Sequence, residues 1–284
     1  MISMAGKAVR RWWALFALPT FAAFVIGFVV PFVMGVYLSF CRFSTVTDAR
    51  FVGVSNYADA VSDPEFWHAL VYTVLFTVVT TVVVNVLAFA VAYMLTKRFR
   101  GTNVFRSVFF MPNLIGGIIL GYIWLLLLNG VLAHWGRSIT YSGVYGFWGM
   151  VLLYCWQQLG YMMIIYISGL QALPGDVLEA AAVDGASSRQ TLFRVTIPLM
   201  MPSITVCSFL TVTGGFKMFD QNLALTNGAP SNSSELLALN IYRTFYGRAG
   251  FEGVGQAKAV VFFLIVAVIA VIQNRLTTSR EVSA

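Results

Sequence analysis

Residues 66–96 read FWHALVYTVLFTVVTTVVVNVLAFAVAYMLT, thirty-one residues without one Asp, Glu, Lys or Arg. A helix crossing the hydrocarbon core of a bilayer needs ~20 mostly apolar residues, so this run reads as a membrane span. Four more charge-free runs are long enough to cross: 12–41, 107–136, 138–175 and 195–216. A sixth, 259–274, is shorter, and Lys258 and Arg275 at its ends lengthen it if their heads snorkel to the two interfaces. The expectation is an all-α, polytopic membrane protein with six transmembrane helices.

Composition agrees. The 284 residues are 59% hydrophobic and 10% charged, with a mean hydropathy of +0.80, where soluble domains carry roughly 25% charged residues. A soluble enzyme, a disordered chain and a coiled coil are all excluded. Cys41, Cys155 and Cys207 are too far apart to clamp a metal locally, and they read as buried thiols. Lys7, Arg10 and Arg11 precede an apolar stretch too long for a cleavable signal, which is read as an uncleaved first span.

The net charge of +7 is a topology signal rather than a nucleic-acid one. With both termini cytoplasmic, that side collects Lys7, Arg10, Arg11, Lys97, Arg98, Arg100, Arg106, Arg189, Arg194, Arg275 and Arg280. The outer side holds Arg42, Arg50, Arg137, Arg243, Arg248 and Lys258, with Lys217 inside a span. The outer segments, roughly 42–68 and 223–253, carry turn formers and acids. In the second of them TNGAPSNSSE predicts a turn and then a helix capped near Ser233 or Ser234. Residues 1–284 read as one transmembrane domain without internal repeats.

The long cytoplasmic loop, LQALPGDVLEAAAVDGASSRQTLFRVTIPLMMP (170–202), is poor in charge yet full of helix signals. Asp176 and Glu179 have capping-box spacing, as do Ser187 and Gln190, and Asp184-Gly185 supplies a turn. Two short helices with a bend at Gly185 are predicted. The small face of Ala180, Ala181 and Ala182 suits close approach of another backbone, either in a partner's groove or at the membrane interface.

The segment Glu179-Ala180-Ala181-Ala182-Val183-Asp184-Gly185-Ala186, followed by Ile197-Pro198-Leu199 and Pro202, resembles the EAA motif of binding-protein-dependent ABC transporter permeases. Four other stretches resemble the sugar-permease branch of glycerol-phosphate and maltose type: FVGVSNYADAVSDPEFWHAL (51–70), FRSVFFMPNL (105–114), ISGLQALPGDVLEAA (167–181) and FKMFDQNLALTNGAP (216–230). The similarity covers about residues 15–275. One departure is Asn227-Gly228-Ala229-Pro230, where the family commonly has Gly-Gly-Pro.

This resemblance implies a permease fold of the type I ABC importer, in a bacterial cytoplasmic (inner) membrane, bringing in a mono- or oligosaccharide. It implies a second, non-identical permease, two cytoplasmic ATPase subunits and an extracytoplasmic solute-binding protein, with no nucleic acid. Asp176, Glu179, Ala180, Ala181, Ala182, Asp184, Gly185 and Ala186, in a loop spanning about 173–202, would then couple the chain to the ATPase. ATP and Mg would sit on that partner, since none of the four lysines lies in a phosphate-cradling Gly-rich loop. No cofactor, metal or catalytic residue is expected here; His68 and His134 fall at an outer span end and in an outer loop. The alternatives are an importer of a non-sugar solute, such as an amino acid or peptide, and an ion-coupled carrier.

Polar side chains within spans are costly and mark candidate substrate contacts. They are Asn85, Gln157, and the cluster Lys217, Phe219, Asp220, Gln221 and Asn222, in which Lys217 and Asp220, three apart, would share a helix face and pair. Sugars are commonly held by aromatic faces with amides and carboxylates. The other reading is interhelical hydrogen bonding for Asn85 and Gln157, and the outer interface for the cluster. Trp124, Trp148, Trp156 and Tyr161 read as belt or packing residues, and Gly117 and Gly121, four apart, as a close helix contact.

Overall fold

The computed structural model describes Trp13, Leu15 and residues 17–97 and 101–279. Lys7, Arg10, Arg11, Arg98, Arg100 and Arg280, used above to orient the chain, lie outside the described residues. In chain order the helices are α1 (Ala17–Leu38), α2 (Ser55–Ser62), α3 (Pro64–Leu95), α4 (Thr102–Phe110), α5 (Gly117–Leu132), α6 (Gly143–Gln171), α7 (Gly175–Val183), α8 (Ser188–Leu199), α9 (Met201–Phe216), α10 (Asp220–Leu225), α11 (Leu237–Gly247) and α12 (Glu252–Thr278). A small hairpin pairs β1 (Cys41–Arg42) with β2 (Arg50–Phe51), Cys41 opposite Phe51.

Among the described residues five helices are long and apolar enough to cross a membrane: α1, α3, α5 carried on to Trp135, α6 and α12. The helices α8 and α9, bent by 68° where they meet, count as a sixth when taken as one broken span. The charge-free run 195–216 is therefore broken. Pro198 follows the π-turn Leu192–Thr196 near the end of α8, and Pro202 occupies the first turn of α9, where a missing N–H costs nothing, so the chain restarts its helix at Met201. The expected span 107–136 is divided for a similar reason. Pro112 lies in a 3₁₀ turn, Met111–Leu114, and Ile115 is extended, which separates α4 from α5.

The described residues form two compact units, those up to Ser62 with 241–261 and those of 63–240 with 262–279. In the first, α1 widens to a π-turn at Val25–Val29 just before Pro31, which has no N–H to offer. Buried Asn56 donates to the carbonyls of Ser39 (2.9 Å) and Cys41 (2.8 Å), tying α2 to the hairpin. Ala60, Val254 and Ala257 form a small core against Tyr57. Lys258 does not snorkel. Since α12 begins at Glu252, Lys258 sits inside the helix, fully buried, and its ammonium donates to Thr244 Oγ1 at 2.8 Å.

The second unit is built around α6, whose most apolar window is 61% buried against α3 and α9 among others. Phe76 on α3 meets Phe147 and Tyr154 on α6 edge to face, with centroids 6.3 and 5.6 Å apart. Lipid tails are as apolar as these side chains, so contact quality and hydrogen bonds hold the helices rather than expulsion from water. Asn85 supplies the central knot: its Nδ2 donates to Thr81 O (2.7 Å) and Thr211 Oγ1 (3.0 Å), and its Oδ1 accepts from Tyr166 OH (2.6 Å). One amide thus joins α3, α6 and α9.

Candidate functional site

The first candidate is the stretch from α7 to α8. Proline at 174 fixes an extended entry, and α7 starts at Gly175, so Asp176 falls in the first turn instead of capping it. Its carboxylate accepts from Val177 N at 3.0 Å, and the expected capping box with Glu179 is not formed. The helix end is as expected. Gly185 has φ +77°, its N–H donates to Ala182 O (3.1 Å), and Ala186 N donates to Ala181 O (3.0 Å). This pair of bonds defines a Schellman end, and the left-handed residue is glycine because a Cβ would be strained there. Ser187 and Gln190 do form the second capping box.

Asp176, Glu179, Ala180, Ala182, Asp184 and Gly185 are exposed, Ala181 and Ala186 half-buried, and Val183 is 87% exposed. Glu179 meets no hydrogen-bond or ion-pair partner among the described residues. A short, capped helix therefore presents alanines, two valines and two acids to its surroundings. It is followed by a π-turn (Leu192–Thr196) that leads into the bend at Met200.

The second candidate is a strip of amides within the spans. Gln221 Nε2 donates to Gln157 Oε1 (2.8 Å), Gln157 Nε2 to Ile115 O (3.3 Å), and Asn113 Nδ2 to Gln158 Oε1 (3.1 Å). The break at Pro112 frees the Ile115 carbonyl, and α6 and α10 bring glutamines to it. The α10 helix packs tightly on α5: a methyl built on Gly117 would lie 2.7 Å from Asp220 Cβ, and one on Gly121 2.6 Å from Ala224 Cβ. The two glycines thus mark a close helix contact. They also place the exposed Asp220 against the first turn of α5, where free N–H groups favour a carboxylate.

The span-five cluster is not one helix face. The helix ends at Phe216 and restarts at Asp220, with Phe219 at φ −124°, ψ −60° between. Lys217 and Asp220 are both exposed and make no ion pair with each other. Asn222 is placed elsewhere again. Fully buried, it donates to Thr226 Oγ1 (2.9 Å) and Ser234 O (2.8 Å) and accepts from Leu236 N (2.9 Å). It clamps the turn that contains the cis Ala229–Pro230 bond and left-handed Asn227, Ser231 and Asn232. The next helix begins at Leu237, later than Ser233 or Ser234, because the N–H groups of Leu236 and Leu237 find Asn222 and Thr73 Oγ1 (2.8 Å). No group of three or more His, Cys, Asp or Glu able to hold a metal occurs among the described residues.

Residues 97–280 match the model of the family described as binding-protein-dependent transport system inner membrane component. The chain belongs to this family. It is 41% identical to the protein named Probable starch degradation products transport system permease protein AmyD of Thermoanaerobacterium thermosulfurigenes, over 95% of each chain. It is 30% identical to the multiple sugar-binding transport system permease protein MsmF of Streptococcus mutans, over 97% of this chain and 99% of that one. Its fold matches that of a bacterial ABC transporter involved in import of the acidic polysaccharide alginate, with a TM-score of 0.80 at 18% identity, covering 98% of this chain and 99% of the other.

In this inner membrane component the seven candidate substrate residues fall into four places: Gln157 and Gln221 in the amide strip with Asp220 beside it, Asn85 in the helix knot, Asn222 in the turn, and two at a helix break. Lys217 and Phe219 occupy the helix break. The strip also takes in Asn113 and Gln158, which the sequence reading above does not include among the candidates. Pro112, which opens the helix before Ile115, was the signal that would have joined them.

Proposed function

We propose that this chain is the permease subunit of an ATP-driven importer of a mono- or oligosaccharide in a bacterial cytoplasmic membrane. The observation that carries the reading is the exposed α7 helix, closed by its Schellman end at Gly185 and joined to a span through a bend. Such a helix can be gripped by an ATPase and moved as a rigid body, whereas a loose loop would absorb the motion. Asp176, Glu179, Ala180, Ala181, Ala182, Asp184, Gly185 and Ala186 form the grip. ATP and Mg bind the two cytoplasmic ATPase subunits, and no cofactor binds this chain.

Both termini face the cytoplasm. Lys97, Arg106, Arg189, Arg194 and Arg275 are the described charges that favour this orientation, and the burial of Lys258 removes one from the opposing side. A solute-binding protein, which the family's description names, delivers sugar at the outer face, and a second, non-identical permease completes the pathway. Gln157, Gln221 and Asp220, with Lys217 and Phe219 at the adjoining break, are the contacts to sugar hydroxyls. The similarity to transporters named for starch degradation products and multiple sugars supports the carbohydrate, and malto-oligosaccharides are the first to try.

The test is uptake of labelled mono- and oligosaccharides, with amino acids and a peptide as comparison, by cells carrying the complete transporter with and without this chain. Loss of one sugar's uptake is expected. Unchanged sugar uptake with loss of an amino acid or peptide would overturn the carbohydrate reading.

A further inference from the structure

A crevice of about 310 Å³ runs between α5 and α6 near the turn that joins them. Leu128 and Val131 form one wall, Trp148 and Leu152 the other, with Ile139 and Gly149 at the bottom. Its depth depends on Gly149, where a methyl would lie 2.5 Å from Ile139 Cδ1. The Ile139 N–H is spent on Asn129 Oδ1 (2.8 Å), so the bottom offers no free donor there. Val131 and Trp148 are 60% and 57% exposed, which opens the crevice on the side of two membrane-spanning helices.

At its mouth stands Arg137. The guanidinium donates to Tyr145 OH, and Tyr145 itself lines the crevice. It also lies over the rings of Tyr141 (5.2 Å) and Tyr145 (5.7 Å). Arg137 is exposed and has no carboxylate partner among the described residues. Two rings and one hydroxyl therefore hold a planar cation without a carboxylate partner, and one of those rings, Tyr145, is itself part of a slot lined by hydrocarbon. A guanidinium suits the paired oxygens of a phosphate, and the slot suits an alkyl chain attached to it. Ordinary belt aromatics sit at interfaces without either feature.

We propose that the α5–α6 crevice and Arg137 form a site for one anionic phospholipid, its acyl chain between Val131 and Trp148 and its phosphate on Arg137. Phosphatidylglycerol is the probe, with zwitterionic phosphatidylethanolamine as its comparison, because both carry a phosphate and only the first a net charge.

The experiment is native mass spectrometry of the complete transporter, stripped of lipid in detergent and titrated with each lipid. One phosphatidylglycerol should bind at about tenfold lower concentration than phosphatidylethanolamine. Arg137→Ala should abolish that preference, and Arg137→Lys should restore part of it by returning the charge without the fork. Val131→Trp, a lipid-facing change that fills the crevice, should weaken both lipids. Equal retention of the two lipids by the wild type would overturn the proposal, as would phosphatidylglycerol binding unaffected by Arg137→Ala and Val131→Trp. If those two variants instead weakened only the solute-binding protein or the second permease, the surface would be a protein contact and the lipid site would fall.

Discussion

Replacing Gly185 by proline tests the coupling assignment where the structure is most specific. At φ +77° the residue donates its N–H to Ala182 and turns the chain so that Ala186 reaches Ala181. Proline has no N–H and holds φ near −65°, so both bonds are lost. At ~0.5–1.5 kcal/mol for each hydrogen bond, the ordered helix end loses ~1–3 kcal/mol, which is roughly a five- to 150-fold fall in its population. Gly185→Ala keeps the N–H and pays only for the left-handed backbone, ~1–2 kcal/mol. Gly185→Asn should be nearly silent, as Asn tolerates that conformation. The loop is exposed and lies outside the packed spans, so their melting should not change. In proteoliposomes holding the complete transporter and its solute-binding protein, Pro should cut sugar uptake at least about fivefold while ATP hydrolysis continues. The order of effect should be Pro, then Ala, then Asn. Uptake by the Pro variant at the wild-type rate would refute the assignment of α7 as the coupling helix.

The remaining predictions separate scaffold from pathway. Gly121→Leu drives side-chain bulk into Ala224, which a single methyl would already approach to 2.6 Å; overpacking of ~1–3 kcal/mol should lower the melting temperature and sugar uptake together. Asn85→Ala removes the amide that joins α3, α6 and α9, at ~0.6–2 kcal/mol per bond, and should lower the melting temperature while KM for uptake stays fixed. A raised KM with unchanged melting would move Asn85 into the pathway. Asn222→Ala leaves Ser234 O and Leu236 N unpaired at ~1–3 kcal/mol each and should show as poor folding, whereas Gln221→Ala should raise KM several-fold without a thermal shift. The reverse pattern in calorimetry and uptake would exchange their roles.

The helices were legible because their signal is one of composition over ~20 residues, which tertiary contacts hardly alter. The end of α7 was legible for a different reason, since Gly185 and the Ser187–Gln190 pair act within a few residues. What escaped the sequence depended on contacts far along the chain. Lys258 looks like a span terminus until α12 is seen to begin at Glu252 and Thr244 to receive the ammonium. Asn222 looks like a ligand until Ser234 and Leu236 fold back on it. Lys217 and Asp220 have helical spacing, but spacing carries no information about a break at Phe219. The helix starting at Leu237 takes its first hydrogen bonds from Asn222 and Thr73, so no residue just before it had to be a good cap.

Transmission of a push on α7 to the amide strip depends on which of the two intervening breaks is stiff. At the bend between α8 and α9, Met200 is 1% exposed, and its N–H donates to both Thr196 O (2.9 Å) and Ile197 O (3.1 Å). A methyl on Gly169 of α6 would lie 2.8 Å from Met200 Cε and 2.2 Å from Ser203 Oγ, so the bend is packed against α6 on both sides. It is a fixed corner, and under the proposed coupling role of α7 the helix α9, ~24 Å long at 1.5 Å per residue, would carry a displacement onward with α6. The second break is different. Lys217 is exposed and Phe219 leaves helical geometry, while α10 beyond it is held to α5 through Gly117 and Gly121. Motion arriving along α9 and α6 would therefore fall between Gln157, which is part of α6, and Gln221, whose helix is packed on α5. The hydrogen bond between these two glutamines is where opening of the strip would first register.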